Sequence, residues 1–351
     1  MVEKREATSD VTLEEELSMQ DKLPPGQHFM EETAFMVLGE SEGCDFAMLS
    51  CIFRVGGGKQ GMWEVDDTAS LQTTVQIVPQ SERGNLNNEF IGNRCFAKDW
   101  SGDCQIIKEK DRIIWQRDKI QHIRRPPYWE LKGEHMGVEF DLSFAGYGHT
   151  VYWMGPFEGL ADSGQAGFSQ LASVEGTIKA RGKTYPITPD KAVGEVNKFL
   201  MTSDIAELFQ ITPYYWLWCI GQDMSMMIYY IPDVFVVAEV MVDGRSVSYE
   251  MDDLSFDELD WWVDPKTGVR VPTRWHINLS SKEGVTDVIA SANSRMFYSY
   301  MMKSGVTIHY GMLSRAQGRF FSPDGRTFGM NDAPSYIEWG RTVLPLGSGS
   351  M

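Results

Sequence analysis

Two carboxylates lie in the most apolar part of the sequence, where a charge requires an explanation. Glu239 is the only charged residue in the body of the apolar segment 233–242, and it would share a strand face with apolar side chains. Asp223 follows the aromatic segment 214–220 at a turn. Apolar surroundings raise the pKa of a carboxylic acid, so that it can donate a proton near neutral pH. We therefore predict Glu239 or Asp223 as a general acid or base; the alternatives are a paired structural carboxylate and a residue that accepts turn N–H groups.

Histidine and tyrosine supply the other groups that proton transfer requires. His149 lies in the glycine- and aromatic-rich segment 146–159, which is typical of a pocket mouth and equally of a packed barrel closure. Tyr230 ends an apolar segment, where its hydroxyl could donate to a substrate carbonyl or cap the edge of a core. The predicted catalytic residues are Glu239, Asp223, His149 and Tyr230.

Aromatic side chains recur around these candidates and can wall a pocket, since their faces stabilise developing positive charge. His276 follows Trp275 on an alternating segment, so its face is either solvent or a polar pocket. Glu338 lies between aromatic residues near the end of the chain and is either a site residue or a structural partner. The predicted substrate-binding residues are Tyr214, Trp216, Trp218, Trp153, Trp275, His276, Tyr336 and Glu338.

The elements that must position these residues are predicted to be β-strands. Apolar, aromatic and β-branched residues fill the segments 214–220, 224–231 and 233–242, and turn residues separate them. Asp243-Gly244 then predicts a tight type I′ hairpin. Similar segments, spaced by about 8–12 residues along most of the chain, favour antiparallel barrels or sandwiches over a parallel sheet with helices.

A few segments depart from this β pattern. The segment 188–199 could start a short helix, and the acidic segment 251–260 is typical of a solvated loop or a short helix. Two β-rich halves of similar size suggest two barrels. The predicted organisation is a flexible acidic arm over 1–26, barrel domains over 27–204 and 205–346, and a linker or cloning scar over 347–351.

Composition excludes several classes of function. The chain has 49 acidic and 32 basic residues and a formal charge of −17, which disfavours binding to nucleic acid or anionic membranes. It lacks a run of about 18 apolar residues and an apolar signal core, so we expect a cytoplasmic protein without membrane spans. Five cysteines without CxxC spacing and six scattered histidines favour neither a disulfide framework nor a metal site. Phosphate-binding and dinucleotide-binding glycine motifs are absent, so we expect neither a P-loop nor a dinucleotide-binding fold.

Several short motifs in the second half form a recognisable series. They are Trp216-Leu-Trp218, Met226-Met-Ile-Tyr-Tyr230, Asp243-Gly244, Pro272-Thr-Arg-Trp275 and Pro334-Ser-Tyr-Ile-Glu-Trp-Gly340, preceded by the hairpin Val174–Tyr185. This series resembles the lipocalin-like carotenoid 1,2-hydratase (hydroxyneurosporene synthase) and AttH-like superfamily, which is related to fungal decalin-forming Diels–Alderases and kievitone hydratase. The resemblance covers roughly residues 170–345. One departure is that Gly194-Glu195-Val196-Asn197-Lys198 stands where relatives often have an Asp/Glu-His-x-Trp-Gly element.

The resemblance implies an all-β fold of two lipocalin-like antiparallel barrels, with a hydrophobic ligand in a barrel mouth or between the barrels. It implies a cofactor-free hydratase, dehydratase or cyclase that acts on an isoprenoid, polyketide or phenolic substrate by acid–base catalysis in an apolar pocket. The expected partner is this hydrophobic small molecule, and a homodimer is compatible with the sequence.

Two alternatives stay open at the level of sequence. One is a lipocalin-like carrier that binds a hydrophobic molecule without chemistry, whose cavity would be almost wholly apolar. The other is a carbohydrate-binding sandwich, for which exposed Trp261-Trp262 beside Asp260 and Asp264 would supply stacking and hydrogen-bonding groups. An enzyme should instead bring carboxylate, histidine or tyrosine side chains together among apolar ones.

Overall fold

A computed structural model shows two compact units. Unit 1 comprises Met1–Ile77 and Phe90–Asp204, and unit 2 comprises Val78–Glu89 and Ile205–Met351. The predicted domain boundary at 204/205 and the predicted terminal linker lie outside the described residues. The structure describes residues 6–57, 67–87, 90–97, 104–203, 209–221, 223–302 and 305–345.

Unit 1 is built on a 12-stranded sheet whose described pairings are antiparallel. The strand order is β4-β3-β2-β1-β12-β10-β9-β8-β7-β6-β5, with β11 paired to β10. The strands are β1 Phe29–Ser41, β2 Cys44–Gly56, β3 Asp67–Pro79, β4 Phe90–Ala97, β5 Cys104–Lys108, β6 Ile113–Arg117, β7 Ile120–Arg125, β8 Tyr128–His135, β9 Val138–Gly146, β10 Gln165–Ala180, β11 Lys183–Ile187 and β12 Ala192–Met201.

Unit 2 is built on a 10-stranded sheet whose described pairings are also antiparallel. The order is β16-β15-β14-β13-β22-β21-β19-β18-β17, with β20 paired to β21. The strands are β13 Tyr214–Ile220, β14 Met224–Ile231, β15 Phe235–Val242, β16 Arg245–Tyr249, β17 Leu254–Val263, β18 Arg270–Ser281, β19 Gly284–Ala292, β20 Met296–Met302, β21 Gly305–Phe321 and β22 Thr327–Pro345.

The all-β prediction is confirmed, because helical structure in the described residues is confined to short pieces. The predicted strands 214–220 and 224–231 form with the same bounds, while the third begins at Phe235 because Asp233 has a φ of 62° in the preceding turn. Asp243 and Gly244 both have positive φ, as a type I′ turn requires. The helical pieces are the α-helix Leu160–Ser163 and the 3₁₀ turns Gln20–Lys22, Gln80–Glu82, Phe157–Gly159 and Met251–Asp253.

Two local predictions were wrong. The segment 188–199, predicted to start a helix, contributes most of strand β12, which pairs with β1 and β10 along its length. Pairing on both edges and burial on both faces outweigh the local helix signal. Most of the acidic segment 251–260 forms the edge strand β17, in which half-buried Leu254, Phe256 and Glu258 alternate with exposed Ser255 and Asp257.

Each sheet curls around its own apolar core. In unit 1 the alternate residues of β1, β2, β9, β10 and β12 contribute to one cluster that includes the fully buried Trp115 and Trp129. In unit 2 a second cluster is built around Trp275 and the core-facing side of β13. Burial of large aromatic side chains is the main favourable contribution to folding in both units.

The core of unit 1 also contains a buried ion pair supplied by the N-terminal segment. Glu16 is fully buried, and its Oε2 lies 2.5 Å from Nε of the equally buried Arg124. Trp129 donates from Nε1 to Glu16 Oε1 at 2.6 Å, and Trp115 donates to the backbone carbonyl of Glu16 at 2.8 Å. Burial lowers the pKa of Arg124, whereas the carboxylate of Glu16 raises it.

A second buried carboxylate fastens the same segment. Glu31 on β1 accepts hydrogen bonds from the Ser18 hydroxyl at 2.8 Å and from the Met19 backbone N–H at 2.9 Å. It also lies 3.3 Å from the buried ammonium of Lys198 on β12. The segment 1–26 was predicted to be a flexible arm, but its described part packs into unit 1. It does so because Glu16 pairs with the buried Arg124, and Ser18 and Met19 donate hydrogen bonds to the buried Glu31.

We expect Glu16→Gln to lower the free energy of unfolding by about 3–5 kcal/mol, because it leaves the buried Arg124 guanidinium without a counter-charge. Glu14→Gln is the matched control, since Glu14 is exposed two residues earlier on the same segment. Urea unfolding followed by tryptophan fluorescence measures both variants. Equal midpoints for the two would show that the ion pair does not stabilise unit 1.

Candidate functional site

Strand β13 is buried on both faces, and the two faces differ in character. Tyr215, Leu217 and Cys219 point into the apolar core of unit 2. Trp216 and Trp218 point to the opposite face and are nevertheless 9% and 0% exposed. A tryptophan-lined face that is buried outside the barrel core is a candidate binding surface.

Strand pairing places polar residues beside these aromatic ones. Trp216 is paired with Glu338, and Trp218 with Tyr336, across β13 and β22. Gly340 lies two residues after Glu338 on β22. It is paired with Tyr214 on β13 and with His309 on β21. The predicted residues Tyr214, Trp216, Trp218, Tyr336 and Glu338 therefore share one sheet face with a histidine.

Two glycines make room for this arrangement. A Cβ atom on Gly340 would lie 2.4 Å from Cδ1 of Tyr214 and 3.2 Å from Nδ1 of His309. A Cβ atom on Gly311 would lie 2.1 Å from the Tyr336 hydroxyl oxygen. Any larger residue at either position would displace the groups that surround Glu338.

Glu338 is the centre of the hydrogen bonds on this face. Its Oε2 accepts from the hydroxyls of Tyr298, in a short hydrogen bond, and of Tyr336, at 3.4 Å. Its Oε1 lies 3.2 Å from His309 Nδ1, and His309 Nε2 lies 3.1 Å from Thr307 Oγ1. Glu338 and His309 are 5% and 3% exposed. We call Glu338, His309, Tyr298, Tyr336 and Thr307 the Glu338 cluster.

Aromatic rings enclose the Glu338 cluster. Phe209 is stacked on Tyr214 with ring centroids 4.8 Å apart, and Tyr214 lies 5.3 Å from the His309 ring. Tyr298 is stacked on His309 at 5.1 Å, and it is only half-buried. A carboxylate, an imidazole and phenols in such surroundings exchange protons with little competition from water.

Two indole donors on the same face lack partners. Nε1 of Trp216 and Nε1 of Trp218 are buried and have no hydrogen-bond acceptor among the described residues. Buried N–H groups are normally paired, so these two donors suit an oxygen atom supplied by a ligand.

The leading predicted acids lie elsewhere in unit 2. Glu239 is half-buried on β15, on the side away from the core, and accepts hydrogen bonds from Ser246 and, at 2.6 Å, from Ser248. Asp223 is exposed in the bend before β14. The structure does not bring either carboxylate to the Glu338 cluster, and their assignment as acid or base stays a prediction.

Other predicted residues of unit 2 belong to its core or its surface. Tyr230 packs on the core side, 6.0 Å from the Tyr215 ring, and its pKa is raised by burial and by Asp233. Trp275 is fully buried in the core. His276 is on the opposite face of β18, where its Nε2 lies 3.3 Å from the Asp287 carboxylate.

Two predicted residues belong to unit 1. His149 is exposed, with Nδ1 3.9 Å from the Asp10 carboxylate. Trp153 is buried, and its ring makes an edge-to-face contact with Phe199 at 5.5 Å.

The residues that favoured the carbohydrate-binding alternative make contacts within the protein. Arg270 lies over the ring of Trp261 at 4.7 Å, and Arg295 lies over Trp262 at 5.2 Å. Asp264 is buried and bonded to Arg295 at 3.1 Å and to the Tyr310 hydroxyl at 3.0 Å. One face of each ring and the carboxylate are therefore engaged within the protein, although Trp261 is still 39% exposed.

His309, Tyr298 and Thr307 were not among the predicted site residues. The sequence does contain a signal that could have located His309. The turn Pro323-Asp-Gly325 predicts a hairpin, and extending that hairpin outward brings residue 309 beside residues 339–340, next to Glu338.

Unit 1 holds a further buried carboxylate away from its apolar core. Glu195 on β12 is 1% exposed, and its Oε1 accepts from the Ser169 hydroxyl at 2.6 Å and from Asn197 Nδ2 at 3.4 Å. Burial raises the pKa of Glu195 to about 7, while the two hydrogen bonds oppose this shift. No basic side chain among the described residues pairs with it.

The raised pKa of Glu195 predicts a stability that depends on pH. The unfolded chain releases this proton near its ordinary pKa of 4.5, whereas the folded chain keeps it up to about pH 7. Stability therefore falls as the pH rises from 4.5 to 7 and is level above that range. Relative to wild type, Glu195→Gln should gain roughly 3 kcal/mol of unfolding free energy between about pH 4.5 and 8.

Urea unfolding at both pH values measures this difference, with Glu175→Gln on the exposed end of β10 as the control. A difference between Glu195→Gln and wild type that stays constant with pH would contradict the raised pKa.

The fold and the cluster define an all-β protein with the lipocalin-like two-barrel architecture. Solved structures share this fold over most of the chain. A putative AttH from Nitrosomonas europaea has a TM-score of 0.60 and 10% identity, covering 90% of this chain and 93% of that one. Kievitone hydratase from Nectria haematococca has a TM-score of 0.56 and 10% identity, covering 97% of each. CghA, solved with Sch210972, has a TM-score of 0.60 and 11% identity, covering 96% of this chain and 95% of that one.

These likenesses confirm the predicted fold, and at such identities they show the fold alone. No family model matches the chain, and no curated protein matches it in sequence. Within the described residues, no helix is long and apolar enough to cross a membrane. The same residues contain no group of three or more His, Cys, Asp or Glu side chains arranged to hold a metal ion.

Proposed function

We propose that this protein is a cofactor-free enzyme of the lyase or cyclase type, acting on a hydrophobic isoprenoid, polyketide or phenolic substrate. The observation that carries the proposal is the Glu338 cluster. In it an imidazole and two phenols are hydrogen-bonded to one buried carboxylate among aromatic side chains. A carrier needs an apolar surface and has no use for such a cluster. The likeness to kievitone hydratase, a hydratase by name, supports the same class.

Water addition to an alkene illustrates what the cluster would do. Glu338, in its protonated form, delivers a proton to one alkene carbon, and water attacks the cation that forms on the other. His309, bonded to Glu338 through Nδ1, takes up the proton that the attacking water releases. One water is added in total, and the proton returns to Glu338 along the hydrogen bond. Elimination follows the same steps in reverse.

Neighbouring side chains would orient and stabilise the substrate. The aromatic faces of Tyr214 and Trp216 suit a developing cation. The unpaired indole donors of Trp216 and Trp218 suit a substrate carbonyl or hydroxyl oxygen. Hydrogen bonding to a carbonyl also draws electron density from a conjugated alkene, which is the assistance that a cyclisation needs.

Glu338→Gln should lower turnover by about 10²–10⁴-fold, because the amide can neither deliver nor accept the proton. The assay incubates the protein with prenylated phenols, linear polyenes and polyenyl ketones. Mass spectrometry then detects products that differ from the substrate by one water, or isomers with a changed retention time. Tyr298→Phe, which removes one hydroxyl bonded to Glu338, should lower turnover less.

Glu283→Gln, an exposed acid in the turn before β19, is the matched control and should keep wild-type turnover. Glu239→Gln and Asp223→Asn test the competing assignment in parallel. If these two abolish turnover and Glu338→Gln does not, the acid–base pair lies elsewhere. Binding of a substrate by wild type without any product would identify a carrier.

A further inference from the structure

Two buried polar atoms of unit 1 lack hydrogen-bond partners and lie on the same strand face. They are Oε2 of Glu195 and Oδ1 of Asn197, and neither has a partner among the described residues. The donors that reach Glu195, from Ser169 and from the Asn197 amide, both bond to Oε1. An unpaired buried oxygen is costly, so both atoms call for a group that the described protein residues do not supply.

The surroundings of these two oxygens are apolar. Strand pairing places Glu195 between Met36 on β1 and Leu171 on β10, and places Asn197 between Ala34 and Ser169. All of these side chains are buried. The next residue on this face, Phe199, is buried against Trp153. The two oxygens are therefore the polar end of an extended apolar surface, which suits an apolar ligand with one polar group.

Few ionisable groups face this surface. On the same face of the neighbouring strands lie Glu32 and Glu40 of β1, Asp45 and Cys51 of β2, and the exposed Glu175 and Lys179 towards the far end of β10. An anionic ligand is disfavoured here, because no basic side chain among the described residues pairs with Glu195.

We propose that Glu195 and Asn197 bind the neutral polar group of an apolar ligand that presents one hydrogen-bond acceptor beside one donor, as a carboxamide or a hydroxy-ketone does. Protonated Glu195 donates from Oε2 to the ligand oxygen, and Asn197 Oδ1 accepts from the ligand N–H or O–H. Ser169 holds Glu195 in place through Oε1. The inference rests on residues of unit 1 and does not depend on the proposed function.

The test compares ligands that share a skeleton and differ in the donor. Decanamide and 3-phenylpropanamide carry the acceptor and the donor, whereas their methyl ester counterparts, methyl decanoate and methyl 3-phenylpropanoate, lack the donor. Titration of the full chain at about pH 6, followed by tryptophan fluorescence and calorimetry, should show at least one amide binding about tenfold more tightly than its ester, the effect of one good hydrogen bond.

The pH profile separates a ligand contact from a structural role. Because the proton on Glu195 is lost around pH 7, amide binding should be about tenfold weaker at pH 8 than at pH 6. Glu195→Gln keeps an N–H donor at this position, so amide binding should persist and lose its pH dependence. Asn197→Leu should remove the preference of amide over ester, and Glu175→Gln should behave as wild type.

Three results would overturn the proposal. They are equal binding of amides and esters, absence of binding by any of the four probes, and a pH dependence that survives in Glu195→Gln. If none of the four probes binds, the partners of the two oxygens are bound water molecules and not a ligand. Since these measurements need no turnover, their failure is distinguishable from inactivity of the Glu338 variants.

Discussion

Burial of both faces of the central strands is the constraint on which the rest of the structure depends. Strand β9 alternates buried and exposed residues, whereas β13 is buried at all seven positions and β12 at nine of ten. A polar group on a strand of this second kind has no access to solvent and must find partners within the protein or in a ligand. Glu31 and Glu195 lie on strands of this kind, and Glu338 lies in the segment 335–340 of β22, which is buried on both faces. Donors reach Glu31 and Glu338, whereas in Glu195 they reach only one of the two oxygens.

The fold was largely predictable because its signals are local. Turn residues such as Asp233 and the pair Asp243-Gly244 mark strand ends in the sequence and adopt the positive φ that such turns require. The failure at 188–199 has a long-range cause: Thr188-Pro189-Asp190 resembles a helix start, but β1 and β10 supply pairing partners for the residues that follow. Burial of Glu16 was equally invisible, since its partner Arg124 is 108 residues away.

The candidate site was predictable only in part. Tyr214, Trp216, Trp218, Tyr336 and Glu338 were selected from aromatic-rich segments, and the structure places them on one face. Their convergence with His309 and Tyr298 depends on the register of β21 against β20 and β22, including shifts near Val306 and Ala316. A shift of one residue in that register would turn each of these side chains to the other face of the sheet. Sequence alone does not specify such shifts, so the hydrogen-bond partners of Glu338 could not be predicted.

Three glutamates show why residue type alone does not decide the chemistry of a carboxylate. Glu239 accepts hydrogen bonds from two serine hydroxyls on a half-exposed strand. Glu195 receives donors on one oxygen and none on the other, so its second oxygen is free to meet a ligand. Glu338 is bonded to an imidazole and two phenols, all of which have protons to exchange. The neighbours therefore place side chains that are identical in the sequence in three different hydrogen-bonding environments.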